Sequence, residues 1–280
     1  MDLRRLKTVF IIMLLIANVY MGCILWNAKS FEQQERVAMT DSISEILKKE
    51  MIILPTDMAL PETPKAQNFY LEKMFGSHEE MVVKLLGSEY GKSDTGSYFA
   101  ENGTLLINGD EFIFRKTAKV DDVDVSSSEK IENLCRGEMK RLGVLESAYF
   151  FSGVNRIPNG QKAIFTVKHG DAEFVDAYIS FDVTQNGISA IGGKNLVSAM
   201  EVTETTNTYP DAESVLVGLA KSEKLPQGVP HRIISVKHGY YIGKGGESYR
   251  NILAIPVWQV AVDTGQILHF DARNGRELEE

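Results

Sequence analysis

A charge-free apolar run near the N-terminus, Thr8–Ala28, constrains this chain more than any other feature of its sequence. As an α-helix these 21 residues would be about 31 Å long, and the hydrocarbon core of a bilayer is about 30 Å thick. Three basic side chains precede the run, so the positive-inside rule places the N-terminus in the cytoplasm. The sequence therefore predicts a cytoplasmic segment at residues 1–8, a transmembrane helix at 9–28 and an extracellular remainder.

Two other fates of this run remain as alternatives. A cleaved signal peptide has an apolar core of about 7–15 residues and then a small-x-small site; "AKS" at 28–30 offers such a site, but the run is longer. A lipoprotein would be modified at Cys23 after Gly22, but the two residues before Gly22 are bulky and the run continues past the cysteine. We expect the run to stay as a single span, with Trp26 at the outer membrane interface.

One face of the predicted span carries a polar residue and a small one. Asn18 would lie near the middle of the membrane, where a side-chain amide gains by hydrogen-bonding to another helix, and Gly22 permits close approach of a second backbone. Residues at alternating spacings of three and four share this face, namely Ile11, Leu15, Asn18, Gly22 and Leu25. We predict that it is a partner-binding face, and a lipid-facing anchor is the alternative.

The rest of the chain has the composition of a folded, acidic protein. Its apolar fraction is 44% and its charged fraction 24%, both ordinary for globular domains. The net charge is −8, and because residues 1–28 carry +2, the remainder carries −10, which argues against nucleic acid as a partner. Cys135 is the only cysteine outside the apolar run, so no disulfide can form within the exterior. A lone external thiol is more typical of a bacterial surface protein than of a eukaryotic secreted one.

The exterior is predicted to be α+β, with helices followed by antiparallel strands. A juxtamembrane helix is predicted at 29–52 from its apolar periodicity. A first extracellular α+β unit follows at 53–120, and a second region at 121–280 divides into two candidate repeated units at 126–205 and 208–280. The segments "TVKHG" and "SVKHG" end comparable predicted strands of these units, 69 residues apart, which suggests an internal repeat.

Local signals mark the ends of several predicted elements. Ser77 and Glu80 stand in the capping-box positions of a short helix that the next glycine ends. Asn-Gly pairs at 102–103 and 108–109 mark the turns of a three-stranded meander, and a third pair at 186–187 joins two later strands. These signals predict hairpins between neighbouring strands.

The sequence lacks the common motifs of catalysis and metal binding. None of its five histidines stands in a zinc-ligand spacing, and neither G-x-S-x-G nor S-x-x-K with its companion motifs is present. Cys135 lies on the apolar stripe of a predicted helix and is expected to be buried. "GKGGES" at 243–248 has predicted strands on both sides, whereas a P-loop joins a strand to a helix. We therefore predict no catalytic residue, no cofactor and no metal.

The chain resembles the YycI branch of the YycH/YycI family of Firmicute membrane proteins. The N-terminal "MDLRRLKTVFIIMLLIANVY" carries most of the resemblance, with "LPTDMALPETPKAQNFYL" and the terminal "IPVWQVAVDTGQILHFDARNG" matched by pattern. The resemblance implies a non-enzymatic regulator of the WalK (YycG) sensor histidine kinase. This kinase belongs to a two-component system that controls cell-wall homeostasis. The resemblance also implies a YycH-type partner, contact with the kinase through both the membrane helix and the exterior, and a single-pass location in the cell membrane.

Two other functions are kept as alternatives. The C-terminal helix and hairpin are similar to PepSY-like modules, which implies an extracellular module that binds a peptide or a protease. An anchored cell-wall hydrolase is the second alternative, because the paired carboxylates of a glycosidase have no fixed spacing in a sequence.

Overall fold

The computed structural model describes residues 13–14, 18–24, 26, 38–63, 66–117, 125, 127–205, 209–226, 228–243 and 250–278. Within these ranges the chain is a mixed α+β protein whose sheets are mainly antiparallel, which confirms the predicted class. The helices are α1 (residues 38–49), α2 (His78–Leu86), α3 (Ser128–Leu142) and α4 (Ala212–Leu219), with a 3-10 turn at Glu146–Ala148.

Fifteen strands in the described ranges form two sheets. They are β1 (Ile52–Ile53), β2 (Gln67–Lys73), β3 (Gly91–Lys92), β4 (Tyr98–Ala100), β5 (Gly103–Asn108), β6 (Glu111–Lys116), β7 (Tyr149–Ile157), β8 (Gly160–His169), β9 (Ala172–Thr184), β10 (Gly187–Lys194), β11 (Val197–Glu204), β12 (His231–Tyr241), β13 (Ile252–Leu253), β14 (Ile255–Val262) and β15 (Ile267–Asp271). The larger sheet runs β15-β14-β12-β9-β10-β6-β5-β4-β3, with β8 and then β7 on the other side of β9, and β1 beside β12. The smaller sheet runs β11-β2-β13.

The first hydrophobic core lies between one face of strands β5 to β10 and the helices α2 and α3. On α3 the buried residues recur every three or four positions, as a helix packed along one side requires. They are Ile131, Cys135, Met139 and Leu142. Each fully buried apolar side chain contributes about 1.5–3 kcal/mol to stability. The predicted burial of Cys135 is confirmed, since its side chain is fully buried.

Helix α2 begins and ends where the sequence predicts. The Ser77 hydroxyl accepts a hydrogen bond from the Glu80 N–H at 3.1 Å, and the Glu80 carboxylate accepts one from the Gly76 N–H at 2.8 Å. These bonds satisfy donors that the first turn of a helix leaves unpaired. At the other end, the Gly87 N–H donates to the Val83 carbonyl.

The predicted meander is present as β4, β5 and β6, but its turns lie one residue away from the Asn-Gly pairs. The turn residues are 101–102 and 109–110. Gly103 is already the first residue of β5, with φ +156, and a Cβ there would collide with the Arg115 carbonyl. Only glycine fits this conformation and this close approach, so the pair at 102–103 marks a strand start as well as a turn.

The second hydrophobic core joins segments from both ends of the described chain. Ile43 and Leu47 of α1 are buried in it together with α4 and with strands β12, β14 and β15. Trp258 is fully buried there, and its indole N–H donates to the Pro210 carbonyl at 3.0 Å just before α4 begins. Strand β1, directly after α1, pairs in parallel with β12. Residues 38–54 are therefore part of a core built mainly by residues 212–272.

The sequence does not predict the smaller sheet. Strand β2 pairs with β11 from Gln67 opposite Glu204 to Lys73 opposite Val197, and with β13 through Leu71 and Tyr70. Strands β13 and β14 are separated at Ala254, whose N–H donates to the Phe69 carbonyl of β2. The smaller sheet thus brings together strands about 130 and 180 residues apart in the chain.

The two repeat-like segments do not occupy equivalent positions. In "TVKHG" the strand β8 ends at His169, and Gly170 lies in the following turn with φ +57. In "SVKHG" the strand β12 continues through Gly239 to Tyr241. The prediction that both segments end comparable strands is therefore wrong. At Gly239 the strand β12 does not end but passes close to the backbone of β9 at Glu173.

The predicted transmembrane helix lies largely outside the described residues. Residues 13–14, 18–24 and 26 of it are described, and they are helical. No helix within the described ranges combines the length and the apolar character needed to cross a membrane.

Candidate binding groove on the open face of the sheet

Strand β9 divides its side chains between the two faces of the larger sheet. Buried in the first core are Ala177, Ile179, Phe181 and Val183. The intervening residues, Tyr178, Ser180 and Asp182, line a groove on the opposite face. Successive residues of a strand point to opposite sides, so this part of the sheet has one covered face and one open face.

Strand register places five residues in one row across the open face. Following the pairing from β5 through β6, β10 and β9 to β8, the directly opposed residues are Leu106, Ile113, Gly192, Ser180 and Ile164. The row has bulky side chains at both ends and small ones in the middle. The small residues form the floor of the groove, and Ile113 and Ile164 form its walls.

The groove is open to solvent and has a volume of about 470 Å³. Leu106 is 49% exposed and Ile113 is 46% exposed, although both lie on strands in the middle of the sheet. Gly192 keeps the floor low, since a Cβ there would stand 3.1 Å from the Ser180 hydroxyl oxygen. Apolar side chains held together on an exposed, rigid surface are typical of a binding site.

Two polar rows border the apolar row. On one side, in register from β5 to β8, stand Thr104, Arg115, Ala190, Asp182 and Lys162. On the other side stand Asn108, Glu111, Lys194, Tyr178 and Thr166. An apolar centre within a polar rim is the usual composition of a protein–protein contact surface.

The charges on the rim are mostly paired with each other. Asp182 is 3.4 Å from the Lys162 ammonium, and Glu111 is 3.9 Å from the Lys194 ammonium. Arg115, which is exposed, forms no ion pair with any residue that the structure describes. Its guanidinium is therefore the charged group of the groove left to bind an external carboxylate.

The two carboxylates of the groove are too far apart for glycoside hydrolysis. Glu111 and Asp182 lie on strands two positions apart and in rows four residues apart. Strand spacing and rise then separate their backbones by about 10 Å across the sheet and about 13 Å along it. Paired glycosidase carboxylates are about 5–9.5 Å apart.

A buried carboxylate, that of Asp176, lies beyond one end of the groove and links β9 to the end of β12. Asp176, two residues before Tyr178 on β9, accepts hydrogen bonds from the Ile242 N–H at 2.8 Å and the Gly243 N–H at 2.9 Å. The Asn195 side-chain amide donates to it at 2.8 Å. Burial raises the pKa of Asp176 above its ordinary value, while these backbone hydrogen bonds act in the opposite direction. This cluster fastens the end of β12 to β9, where Tyr240 pairs with Phe174.

The backbone of Asn195 has a conformation that few non-glycine residues adopt. Its φ is +48, and its side chain is almost completely buried. Within the described residues its side-chain oxygen has no hydrogen-bond partner. The two bonds that its amide donates, to the side chain and to the carbonyl of Asp176, stabilise this conformation.

Two further side chains with reactive groups, Cys135 and His238, are held in their neutral forms at neutral pH. Cys135 is buried, and burial raises the pKa of its thiol to about 12, so it is not a nucleophile at neutral pH. His238 lies among Tyr209, Tyr240 and Trp258, and burial lowers its pKa to about 4, so it is neutral. No group of three or more metal-ligating side chains occurs in the described part of the chain.

The predicted partner-binding face of the span lies partly outside the described residues. Ile11, Leu15 and Leu25 are not described. Asn18 and Gly22 are helical and exposed, and a Cβ at Gly22 would have no neighbour within 4 Å. The role of this face stays a prediction.

The groove was not predicted, although part of its signal is visible in the sequence. The alternation in "TLLIN" and "EFIFR" places Leu106 and Ile113 opposite the buried Leu105, Phe112 and Phe114. Apolar residues on both faces of a hairpin strand indicate that the face opposite the core also makes contacts. The alignment of these positions with Ser180 and Gly192 depends on long-range strand register, for which the sequence carries no local signal.

No known protein family matches the chain, and no curated protein matches it. Solved structures that show some similarity include an uncharacterized protein from Eubacterium rectale, which is 11% identical, covers 86% of this chain and 99% of its own, and has a TM-score of 0.45. The C-terminal domain of Bacillus megaterium YpeB is 7% identical, covers 72% of this chain and 93% of its own, and has a TM-score of 0.35. Similarities at this level carry no information about function.

Proposed function

We propose that this chain is a single-pass membrane protein whose extracellular part regulates a sensor histidine kinase of the WalK/YycG type, together with a YycH-type partner. The proposal rests on the resemblance of the N-terminal sequence to the YycH/YycI family and on the apolar run at 8–28, which is long enough to span a bilayer. In this proposal the N-terminus is cytoplasmic and the folded part lies outside the cell.

The groove is the observation that best supports a role in protein contact. Its half-exposed Leu106 and Ile113 are held at fixed positions by strands paired on both sides. Its rim carries charges that largely neutralise one another, so little charged surface must be dehydrated without a partner. Such a surface is suited to bind another folded protein.

Regulation then requires no chemistry by this chain. A partner that contacts the groove in one signalling state of the kinase and not in the other shifts the balance between those states. A difference of about 1–3 kcal/mol between the two contacts changes their ratio by about 5- to 150-fold. The face of the span around Asn18 would add a second contact inside the membrane, where one interhelical hydrogen bond contributes about 0.6–2 kcal/mol.

The experiment that tests the proposal measures kinase association and kinase output together. The full-length chain is produced in membranes with the kinase and the YycH-type protein, either unchanged or with Ile113→Asp in the groove. We expect the variant to reduce co-purification by about tenfold, since a buried charge replaces an apolar contact, and to change kinase autophosphorylation. Ile234→Asp is the matched control, because Ile234 is 55% exposed on β12 and does not line the groove.

Association that survives Ile113→Asp would remove the groove from the proposal. Kinase output that is identical with and without this protein would refute the proposal itself. A second variant, Asn18→Leu, tests the membrane face: we expect weaker co-purification and an unchanged melting temperature of the folded exterior.

A second candidate function, which the groove also supports, is that of a PepSY-like module that binds a peptide. In that case the occupant is a free peptide or a protease segment, and the Ile113→Asp variant loses this ligand while kinase autophosphorylation is unaffected. The separation of Glu111 and Asp182 gives no comparable support to the hydrolase alternative.

A further inference from the structure

We propose that the groove binds an amphipathic α-helix of a partner protein, which lies along β9 and β10 and directs a carboxylate to Arg115. This inference rests on the proposed function, because it specifies the part of the partner that makes contact. It is carried by three independent features of the groove: its backbone, its dimensions and its charges.

The backbone of the groove favours a helix over an extended segment. Each of the strands β6, β10, β9 and β8 has a hydrogen-bonded neighbour on both sides, so the N–H and C=O groups beneath the groove are already paired, and β5 pairs with β6 on one side and with β4 over Gly103–Leu105 on the other. An extended peptide laid on this face would have to bury backbone groups without partners, which is costly. A helix satisfies its own backbone hydrogen bonds and needs only side-chain contacts.

The dimensions of the groove match a short helix. Ile113 and Ile164 lie on strands three positions apart, which separates their backbones by about 14 Å, and a helix with its side chains is about 10–12 Å across. The low floor at Gly192 and Ser180 permits close approach between the two walls. The polar rows are four residues apart along β9, or about 13 Å, which corresponds to about nine helical residues.

The charges of the rim define one polar contact of this helix. Asp182 and Glu111 are paired with lysines, whereas the exposed Arg115 forms no ion pair with a described residue. Arginine binds a carboxylate through two parallel hydrogen bonds, which fixes its position as well as its charge. A helix with apolar residues spaced three and four apart, and an aspartate or glutamate beside them near one end, complements the groove.

Site-specific photocrosslinking tests this proposal on the full-length chain in membranes that also contain the kinase and the YycH-type protein. The photoreactive residue p-benzoylphenylalanine replaces Ile113 in one variant and Ile234 in the control, and the captured residues are mapped by mass spectrometry. We expect Ile113 to capture one partner protein at residues three, four or seven apart, which is the spacing on one face of a helix. Ile234 is expected to capture none of these residues.

Three results would overturn the inference. Captured residues two apart would indicate an extended segment, and capture of a second copy of this chain would indicate self-association. No capture at Ile113, with the Ile113 variant folded to the same melting temperature as the unchanged chain, would show that the groove is not occupied.

Charge substitutions test the contact at Arg115. We expect Arg115→Glu to lower the crosslinking yield from Ile113 by about fivefold or more, and Arg115→Lys to lower it less, since lysine keeps the charge but not the paired hydrogen bonds. Arg232→Glu is the matched control, because Arg232 is exposed on β12 outside the groove. Exchange of the captured carboxylate for arginine should restore the yield with Arg115→Glu, and no restoration contradicts the pairing.

The two proposals fail in different ways. A helical pattern of captured residues on a protein other than the kinase or the YycH-type partner supports the occupant and contradicts the proposed function. A kinase whose output depends on this chain but not on Ile113 or Arg115 supports the function and contradicts the occupant.

Discussion

At the scale of single residues, Asp176 has the largest structural role of the polar groups described. Asp176 is 5% exposed, and its carboxylate accepts three hydrogen bonds, two from backbone N–H groups just beyond β12 and one from the Asn195 amide. Burial raises its pKa, whereas the backbone donors favour the ionised form and act in the opposite direction. A buried group with several partners is sensitive to change, because its loss leaves buried donors without this acceptor.

We predict that Asp176→Ala lowers the free energy of unfolding by about 3 kcal/mol, because three buried donors lose their acceptor. For a chain of this size the melting temperature should fall by roughly 6–12 °C. Thermal unfolding of the full-length protein in detergent, followed by circular dichroism, measures the change.

Asp182→Ala is the control for this prediction. Asp182 lies on the same face of β9, but its ion pair with Lys162 is at the surface, where such pairs contribute about 0–1 kcal/mol. Equal losses of stability for the two variants would contradict the stabilising role assigned to the hydrogen bonds of Asp176.

At the scale of elements, those with local signals are predicted well and those with distant partners are not. The capping residues of α2 and the glycine after α3 fix helix ends within a few residues of sequence. Strand β2 has no comparable signal, because it is held by β11 and β13 from much later in the chain. The groove has the same origin: Ile113 and Ile164 come from different hairpins, and only the register through β10 and β9 places them on either side of Ser180.

Helix α3 is attached to the sheet by a carboxylate whose charge depends on pH. The Glu138 side chain accepts hydrogen bonds from Lys116 of β6 at 3.0 Å and from Arg141 at 2.8 Å. Burial alone would raise the pKa of Glu138, but these partners lower it below its ordinary value. A folded-state pKa below the unfolded one stabilises the protein above the unfolded pKa, and this contribution is lost as the pH falls through the folded pKa.

We predict that Glu138→Gln lowers the free energy of unfolding by roughly 1–2 kcal/mol at pH 7, a value reduced for the solvent around Lys116 and Arg141. Below the folded-state pKa the wild-type carboxyl is also neutral, so the two proteins should approach the same stability as the pH falls through that pKa. Urea unfolding at a series of pH values measures the difference. A stability difference that is the same at every pH would contradict the assigned role of the charge; Glu89→Gln, at an exposed position, is the control.

At the scale of the whole molecule, the two hydrophobic cores are built differently along the chain. The first consists mainly of residues 69–202, with later contributions from Tyr240, Ile242 and Ala254. The second joins Ile43 and Leu47 of α1 to α4 and to the last strands. Helix α1 is thus packed against α4 and the strands β12, β14 and β15, far along the chain from its own position.

We predict that Leu47→Ala destabilises the C-terminal core by about 2–5 kcal/mol, because it leaves a cavity among fully buried side chains. The fluorescence of Trp258, which is buried in the same core, reports the loss as a lower unfolding midpoint in urea. Ile46→Ala, at a neighbouring position that is 40% exposed, should change the midpoint little. Full stability of Leu47→Ala would show that α1 contributes nothing to the second core.

The composition of the second core also determines when it can fold during synthesis. Ile43 and Leu47 are synthesised more than 200 residues before Leu268, Phe270 and Ala272, which belong to the same core. Most of the first core can close while the chain is still growing, but the apolar side of α1 has to wait, uncovered, for more than 200 further residues. A nascent chain stalled before residue 268 would therefore have most of its first core formed, while the apolar side of α1 still lacked the late strands that cover it.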